Sequence, residues 1–231
     1  MSSNTEPHYI DTQRTIVSVD VPSTAPRDYE EVLRSDFVSS YNEGRDVWTE
    51  ETAMQQASAI LHAHLGRSSD VLDVGAGRGR DTEFLLAQGH RVTAVDLVEL
   101  PEWAQLMQNW GNQVRFRITP VTELNDENLF DGVLDNGCLH HQHPDAYIEY
   151  LRRIHDLLRP AGLFTISVFE SKEPGRLYAN KMRRLYREFT DSELTELLRV
   201  AHFTLVSVHR VPRPTAGLNY LVLTVRKSGS Y

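Results

Sequence analysis

The chain has 231 residues, 40% of them hydrophobic, which is enough for one sizeable core and short for two independent ones. Its 24 Lys and Arg against 32 Asp and Glu leave a formal charge of −8, so no general basic field exists to hold a polyanion, and sequence-blind nucleic-acid binding is disfavoured. One cysteine, Cys138, cannot by itself build an internal disulfide, a four-thiolate zinc site or an iron–sulfur cluster, which suits a reducing cytoplasm. No apolar run approaches the ~18 residues that cross a bilayer, and Met1-Ser-Ser-Asn-Thr-Glu lacks the basic and apolar regions of a signal peptide. A soluble chain with no membrane partner is expected.

Residues 1–26 are polar and interrupted by Pro7, Pro22 and Pro26, which reads as a mobile arm. Over residues 27–65, Val32, Leu33, Phe37 and Val38, then Met54, Ala57, Ile60, Leu61 and Leu65, recur at helical spacing. Two amphipathic helices forming a cap are expected, broken near Asn42-Glu-Gly44.

From residue 66 the texture changes to short apolar runs alternating with helical segments, the pattern of a parallel sheet wrapped by helices. Strands are expected at Val71–Val74, Val92–Asp96, Val114–Ile118, Gly132–Asp135 and Leu163–Phe169. Helices fit between them at Asp81–Gln88, Glu102–Trp110 and Asp145–Leu158, the last stopped by Arg159-Pro-Ala-Gly162. Thr190-Asp-Ser-Glu193 has capping-box spacing and opens another helix. The runs Phe203–Val211 and Tyr220–Val225 are joined too tightly for a parallel crossover and should pair antiparallel.

The most informative stretch is Val71-Leu-Asp-Val-Gly-Ala-Gly-Arg-Gly-Arg-Asp81, a buried strand running into Gly75, Gly77 and Gly79 before a helix. Such a bend lets backbone amides approach a nucleotide-sized ligand at a strand's end. A dinucleotide fingerprint would need glycine where Arg80 stands, and a phosphate loop would need a following Gly-Lys-Ser/Thr, so NAD and ATP lose ground. Asp96 ends the next strand about 20 residues on, where a carboxylate accepts ribose hydroxyls.

The D-x-G-x-G-x-G run from Asp73 to Gly79 resembles the first motif of class I S-adenosylmethionine-dependent methyltransferases. Phe130-Asp-Gly-Val-Leu-Asp-Asn136 and Leu157-Leu-Arg-Pro-Ala-Gly162 are similar to that family's fourth and fifth strands, so the resemblance covers about residues 65–226. It implies a Rossmann-like seven-stranded, mostly parallel sheet with an antiparallel last strand, helices on both faces, and an N-terminal helical cap on a single domain. It also implies S-adenosylmethionine as cofactor, with Asp73, Gly75, Ala76, Gly77, Gly79, Asp96, Leu97, Thr119, Val121, Asp135 and Asn136 around it. From the cap, Arg45 is a candidate partner for the methionyl carboxylate, and Tyr41 and Trp48 are candidate shields of the sulfonium. No acid directly follows the third strand, so the adenine is left to backbone, Thr119, Thr122 or packing.

Methyl transfer from a sulfonium is an in-line displacement that asks the protein to align the acceptor, exclude water and remove a proton where needed. The loop from Asp135 to His143 should lie beside the methyl group, and His140 or His141 is the candidate base, against the alternative of a packing or capping pair. Adjacent histidines diverge too much to converge on one ion, so no metal is expected. Six basic residues in 172–187, in a possible lid over 171–189, offer either attraction for an anionic acceptor or a solvated helix face. The expected function is methyl transfer to a small-molecule oxygen, nitrogen or sulfur. Alternatives are a non-methylating user or binder of the same cofactor, an RNA or protein methyltransferase and, with less support, an NAD-dependent oxidoreductase.

Overall fold

The computed structural model describes residues 17–22, 25–214 and 217–229. Strand β1 (Val17–Ser18) and helix α1 (Pro26–Asn42) are followed by 3-10 turns at Val47–Thr49 and Thr52–Met54 and by helix α2 (Gln55–His64). The alternating part comprises β2 (Asp70–Val74), α3 (Arg80–Ala87), β3 (Arg91–Asp96), α4 (Glu102–Trp110), β4 (Val114–Ile118), β5 (Phe130–Asn136), α5 (Tyr147–Leu157) and β6 (Leu158–Glu170). It closes with β7 (Leu177–Ala179), β8 (Leu185–Phe189), α6 (Asp191–Val200), β9 (Phe203–Pro212) and β10 (Asn219–Lys227).

The central strands lie in the order β4-β3-β2-β5-β6-β10-β9, with β4 to β6 mutually parallel and β10 antiparallel to both neighbours. This is the expected Rossmann-like sheet with its antiparallel insertion. Strands covered by helices on both faces need continuous apolar runs, which β2, β5 and β6 supply with Val71, Leu72, Val133, Leu134, Phe164 and Ile166, all buried. Helix α5 buries Tyr147, Tyr150, Leu151, Ile154 and Leu157, one stripe at helical spacing. Helix α6 opens with the expected capping box: Thr190 Oγ1 accepts the Glu193 N–H, and the Glu193 carboxylate accepts the Thr190 N–H. Strand order reverses between β2 and β5, which opens a crevice beyond Val74 and Asn136 where open α/β sheets bind ligands.

Three segments differ from expectation. Residues 172–187 contain no helix: β8 extends the sheet by pairing Phe169 with Glu188 and Glu170 with Phe189 of β6, and β7 pairs antiparallel with β8. Leu177, Tyr178, Leu185, Tyr186 and Phe189 are buried, so this segment packs as a hairpin and is not a solvated face. In place of a free arm, Val17 and Ser18 pair with Ala179 and Tyr178, and the Val19 N–H donates to the Leu177 carbonyl. Residues 1–16 and 23–24 of that expected arm lie outside the described residues. Finally, Arg159–Gly162 does not precede the strand but lies inside β6. Pairing at Phe130–Leu158 resumes at Gly132–Leu163, and Ala161 takes a φ of +62°, so the Pro-Ala-Gly run makes a bulge.

Candidate active site

Between β2 and α3 the chain turns through Gly75, Gly77 and Gly79, with φ of +70°, +53° and +89°. These left-handed values favour glycine by themselves, and a Cβ would also have to displace the Cys138 thiol at Gly75 and the end of the Leu106 side chain at Gly79. The amides of this bend are already engaged within the chain. Those of Gly75 and Ala76 donate to the Val95 carbonyl at 2.8 and 3.1 Å, Gly79 to the Ala76 carbonyl at 2.8 Å, and Gly77 to Asp96 Oδ2 at 2.8 Å. The expectation of amides open to a ligand is therefore corrected: the bend supplies shape, and of its residues Gly75 reaches the cavity wall while Ala76, Gly77 and Gly79 stand behind it. Asp73 also stands behind, 2% exposed and accepting from Thr82 Oγ1 at 2.6 Å, where it ties β2 to α3. Burial, reinforced by the charge of Asp81, pushes its carboxyl pKa upward.

Asp96 carries the polar end of the cavity. Oδ2 accepts from Gly77 and Oδ1 accepts the Val98 N–H at 3.0 Å; burial raises its pKa while these amides pull it back. The Thr119 N–H donates to the Asp96 carbonyl at 3.0 Å, which draws the chain after β4 alongside, so Leu97, Thr119 and Val121 line the same wall with Glu123. Glu123 is an acid that stands not directly after β4, where the sequence shows none, but at the end of the 3-10 turn Val121–Glu123 that follows. From behind, Trp103 Nε1 donates to the Gly77 carbonyl at 2.7 Å and stacks on Phe116 at 4.5 Å.

The cap contributes Tyr41 and Trp48, ring centroids 5.9 Å apart and both on the wall. Arg45 is not there. Gly44, with φ of +61°, turns the chain just beyond α1, and the Arg45 guanidinium folds back onto Glu43 and Ser39. Asn136 does reach the wall: Nδ2 donates to the Met54 carbonyl and to Asp81 Oδ2, both at 2.8 Å, leaving its Oδ1 buried and without a partner among the described residues. Glu51 Oε1 is in the same condition on the same wall. Acceptors buried without donors are costly unless a ligand meets them, and a ribose-and-ammonium ligand such as S-adenosylmethionine presents such donors.

Asp135 is fully buried and shapes the next loop instead of lining the cavity. Its Oδ1 accepts from the Gly137 and Cys138 amides, and its Oδ2 from the Leu139 amide and the Tyr150 hydroxyl. Burial pushes its carboxyl up to about 6 against those donors. The loop so formed presents His140 and His141, which are buried on the cavity wall. His141 Nδ1 lies 2.7 Å from the Leu185 carbonyl, a contact only an N–H can make, so its Nε2 holds the lone pair. His140 Nε2, 3.1 Å away, therefore donates, and His140 Nδ1 is left as an unprotonated acceptor with no partner among the described residues. Burial, then the positive charges of Arg213 and Arg184, hold the His140 pKa well below the ordinary histidine value; burial, His140 and Arg184 do the same for His141. Both rings are neutral at physiological pH, which corrects the expectation of a base titrating near neutrality.

The β7–β8 hairpin completes the other end. Among the six basic residues of 172–187, Arg184 reaches the wall, 1% exposed, while Arg176 pairs with Glu173 and Glu188, and Arg187 pairs with Glu193. Arg184 Nε lies 3.0 Å from Oδ2 of Asp36 on α1, and Asn180 Nδ2 donates to the same oxygen at 3.2 Å. The guanidinium lies over the rings of Phe37, Tyr186 and Trp48 at 4.6, 4.9 and 5.4 Å. Tyr29 Oη donates to the His141 carbonyl at 3.0 Å and accepts the Leu185 N–H at 2.6 Å, which binds α1, hairpin and histidine loop together. Opposite, Arg213 covers Phe169 at 4.4 Å and Tyr220 at 5.1 Å, and Phe169 stacks on His140 at 4.1 Å. The resulting cavity is about 700 Å³, within the range of small-molecule sites.

A sheet of this order, with a glycine bend and a buried carboxylate at its switch point, is the fold of the class I S-adenosylmethionine-dependent methyltransferases. A family model described as a methyltransferase domain matches residues 48–208, and the chain belongs to that family. The crystal structure of Burkholderia thailandensis 1,6-didemethyltoxoflavin-N1-methyltransferase, with bound 1,6-didemethyltoxoflavin and S-adenosylhomocysteine, is similar at 71% identity and a TM-score of 0.93, over 97% of this chain and 100% of that one. The cyclase SpnF matches at 16% identity and a TM-score of 0.64, over 76% of this chain and 81% of its own. A methyltransferase from Methanosarcina mazei matches at 17% and 0.62, over 74% of this chain and 98% of its own. These two likenesses concern the fold. No curated protein matches the sequence. The enzyme uses S-adenosylmethionine and methylates a small molecule. No described helix is long and apolar enough to cross a membrane.

Proposed function

We propose that the enzyme methylates a ring nitrogen of a flat heterocycle, with 1,6-didemethyltoxoflavin or a close analogue as acceptor and the cytoplasm as its place of action. The supporting observation is the second half of the cavity, an aromatic lining of Phe169, Tyr220, Phe37 and Tyr186 whose rings carry Arg184 and Arg213, so that positive charge on an apolar wall suits a flat acceptor with electron-rich or anionic edges. The N1 designation of the Burkholderia relative's activity names a nitrogen as the atom that it methylates.

In this reading Asp96 holds the ribose hydroxyls, Leu97, Thr119, Val121 and Glu123 flank the adenine, Gly75 and Tyr41 pack along the donor, and Trp48 closes over it. Asn136 Oδ1 and Glu51 Oε1 meet the methionyl ammonium. Bound S-adenosylmethionine supplies an activated methyl group. The chain's own tasks are to fix the acceptor nitrogen in line, to exclude water and to take the nitrogen's proton. His140 Nδ1 takes that proton, and His141, anchored on the Leu185 carbonyl, holds His140 in the tautomer that can accept it. A weak base suffices because a ring N–H becomes strongly acidic as the nitrogen gains a methyl group and positive charge.

The test is incubation of the purified chain with S-adenosylmethionine and 1,6-didemethyltoxoflavin, read as S-adenosylhomocysteine formed and one CH₂ gained by the acceptor. No product together with no acceptor binding would reject the acceptor. With both imidazoles held well below the ordinary histidine value, neither should give kcat an inflection there, and kcat should fall in more acid solution as His140 gains a proton. A wild-type inflection near the ordinary histidine value would contradict the lowered imidazole, and an unchanged kcat in a folded His140→Phe variant would remove His140 as the base.

A further inference from the structure

Arg184 has more hydrogen-bonding capacity than the architecture uses. Its Nε faces Asp36 and, with Nη2, donates to the Tyr186 hydroxyl, so the link between α1 and the hairpin needs no further contact. Its Nη1 is nevertheless buried, and it has no partner among the described residues. A guanidinium corner removed from water and left unpaired is costly, and a purely structural ion pair would be expected to satisfy it. The side chain forms part of the cavity wall, and its plane is set by the rings of Phe37, Trp48 and Tyr186, so the direction of the spare donor is fixed before any ligand arrives.

We propose that Arg184 is the residue that selects the acceptor: Nη1 donates to a carbonyl oxygen on the acceptor ring, so the site takes lactam- or imide-type rings in preference to the same rings without oxygen. This rests on the methyl-transfer reading of the cavity and adds the chemical class that the cavity admits. A site built around a buried donor rejects a ligand that leaves the donor unpaired more strongly than an apolar pocket rejects a change of size.

Calorimetry on the enzyme saturated with S-adenosylhomocysteine tests this without turnover. The probes are lumazine, a fused bicyclic ring with two carbonyls, and pteridine, the same ring system with none. Wild type should bind lumazine at least about tenfold more tightly than pteridine. Arg184→Lys keeps a cation beside Asp36 but loses the fork; it should retain S-adenosylhomocysteine affinity while the lumazine-to-pteridine ratio falls towards one. The double variant Asp36→Asn/Arg184→Met removes the donor without stranding a buried charge and should lose the same discrimination, which covers failure of the lysine variant to fold. A merely structural arginine would change melting and leave the ratio intact. Equal binding of the two rings by wild type, binding of neither, or an unchanged ratio in the folded variants would overturn the proposal. Carbonyl discrimination dependent on Arg184 without turnover of 1,6-didemethyltoxoflavin would sustain Arg184 and reject that acceptor. Turnover without discrimination would do the reverse.

Discussion

Asp96→Ala is expected to weaken binding of S-adenosylmethionine and S-adenosylhomocysteine about 100-fold while the protein remains folded. In the proposed donor site the carboxylate accepts both ribose hydroxyls, and charge-assisted hydrogen bonds of this kind contribute roughly 1.5–3 kcal/mol each, partly offset by the cost of keeping the group buried. The same carboxylate accepts the amides of Gly77 and Val98, so its loss also loosens the glycine bend against β3. Asp96→Asn keeps one acceptor oxygen and should lose less. Calorimetry with S-adenosylhomocysteine measures both, and an affinity within a factor of about three of wild type in a folded Asp96→Ala protein would remove Asp96 from the donor site.

Asp36→Ala should produce the largest loss of stability. Asp36 is fully buried, pairs with an arginine that is 1% exposed and accepts from Asn180, so the truncation leaves a charge stranded between α1 and the hairpin. Breaking such a pair costs about 3–5 kcal/mol, which for a domain of this size lowers the melting temperature by roughly 6–20 °C. Acceptor binding should fail with it, because α1 and β8 supply Phe37 and Tyr186 to the same wall. Truncating Glu196 of the exposed pair with Arg199 should leave melting unchanged. A melting point within about 2 °C of wild type for Asp36→Ala would show that the pair does not hold cap and hairpin together.

The centre of the sheet was legible because β2, β3 and β5 are short, largely apolar runs between turn signals, and the place of Asp96 followed from a spacing that the β2–α3–β3 unit imposes. The limits came where direction, not identity, decides. Arg45 and Arg184 are both arginines near aromatic residues, yet one glycine turns Arg45 away, while the β7–β8 register carries Arg184 inward to an aspartate far earlier in the chain. Asp73 and Asp135 have the residue type of ligand-binding acids but are consumed by Thr82 and by the loop amides, which only the packed backbone reveals. The histidines stood out in sequence; the tautomer that leaves His140 Nδ1 bare depends on the Leu185 carbonyl of a strand read there as part of a helix face or lid.

The most direct test of the central claim, one cavity with a donor end at Asp96 and an acceptor end at Arg184 and His140, is a crystal structure of this protein with S-adenosylhomocysteine and 1,6-didemethyltoxoflavin. The ribose should rest on Asp96 and the acceptor ring between Phe169 and the hairpin, its nitrogen in line with the position of the sulfur's absent methyl group, an oxygen on Arg184 and the proton-bearing edge on His140. A nucleoside bound away from Asp96, or an acceptor seated outside the wall that contains Arg184 and His140, would contradict the account.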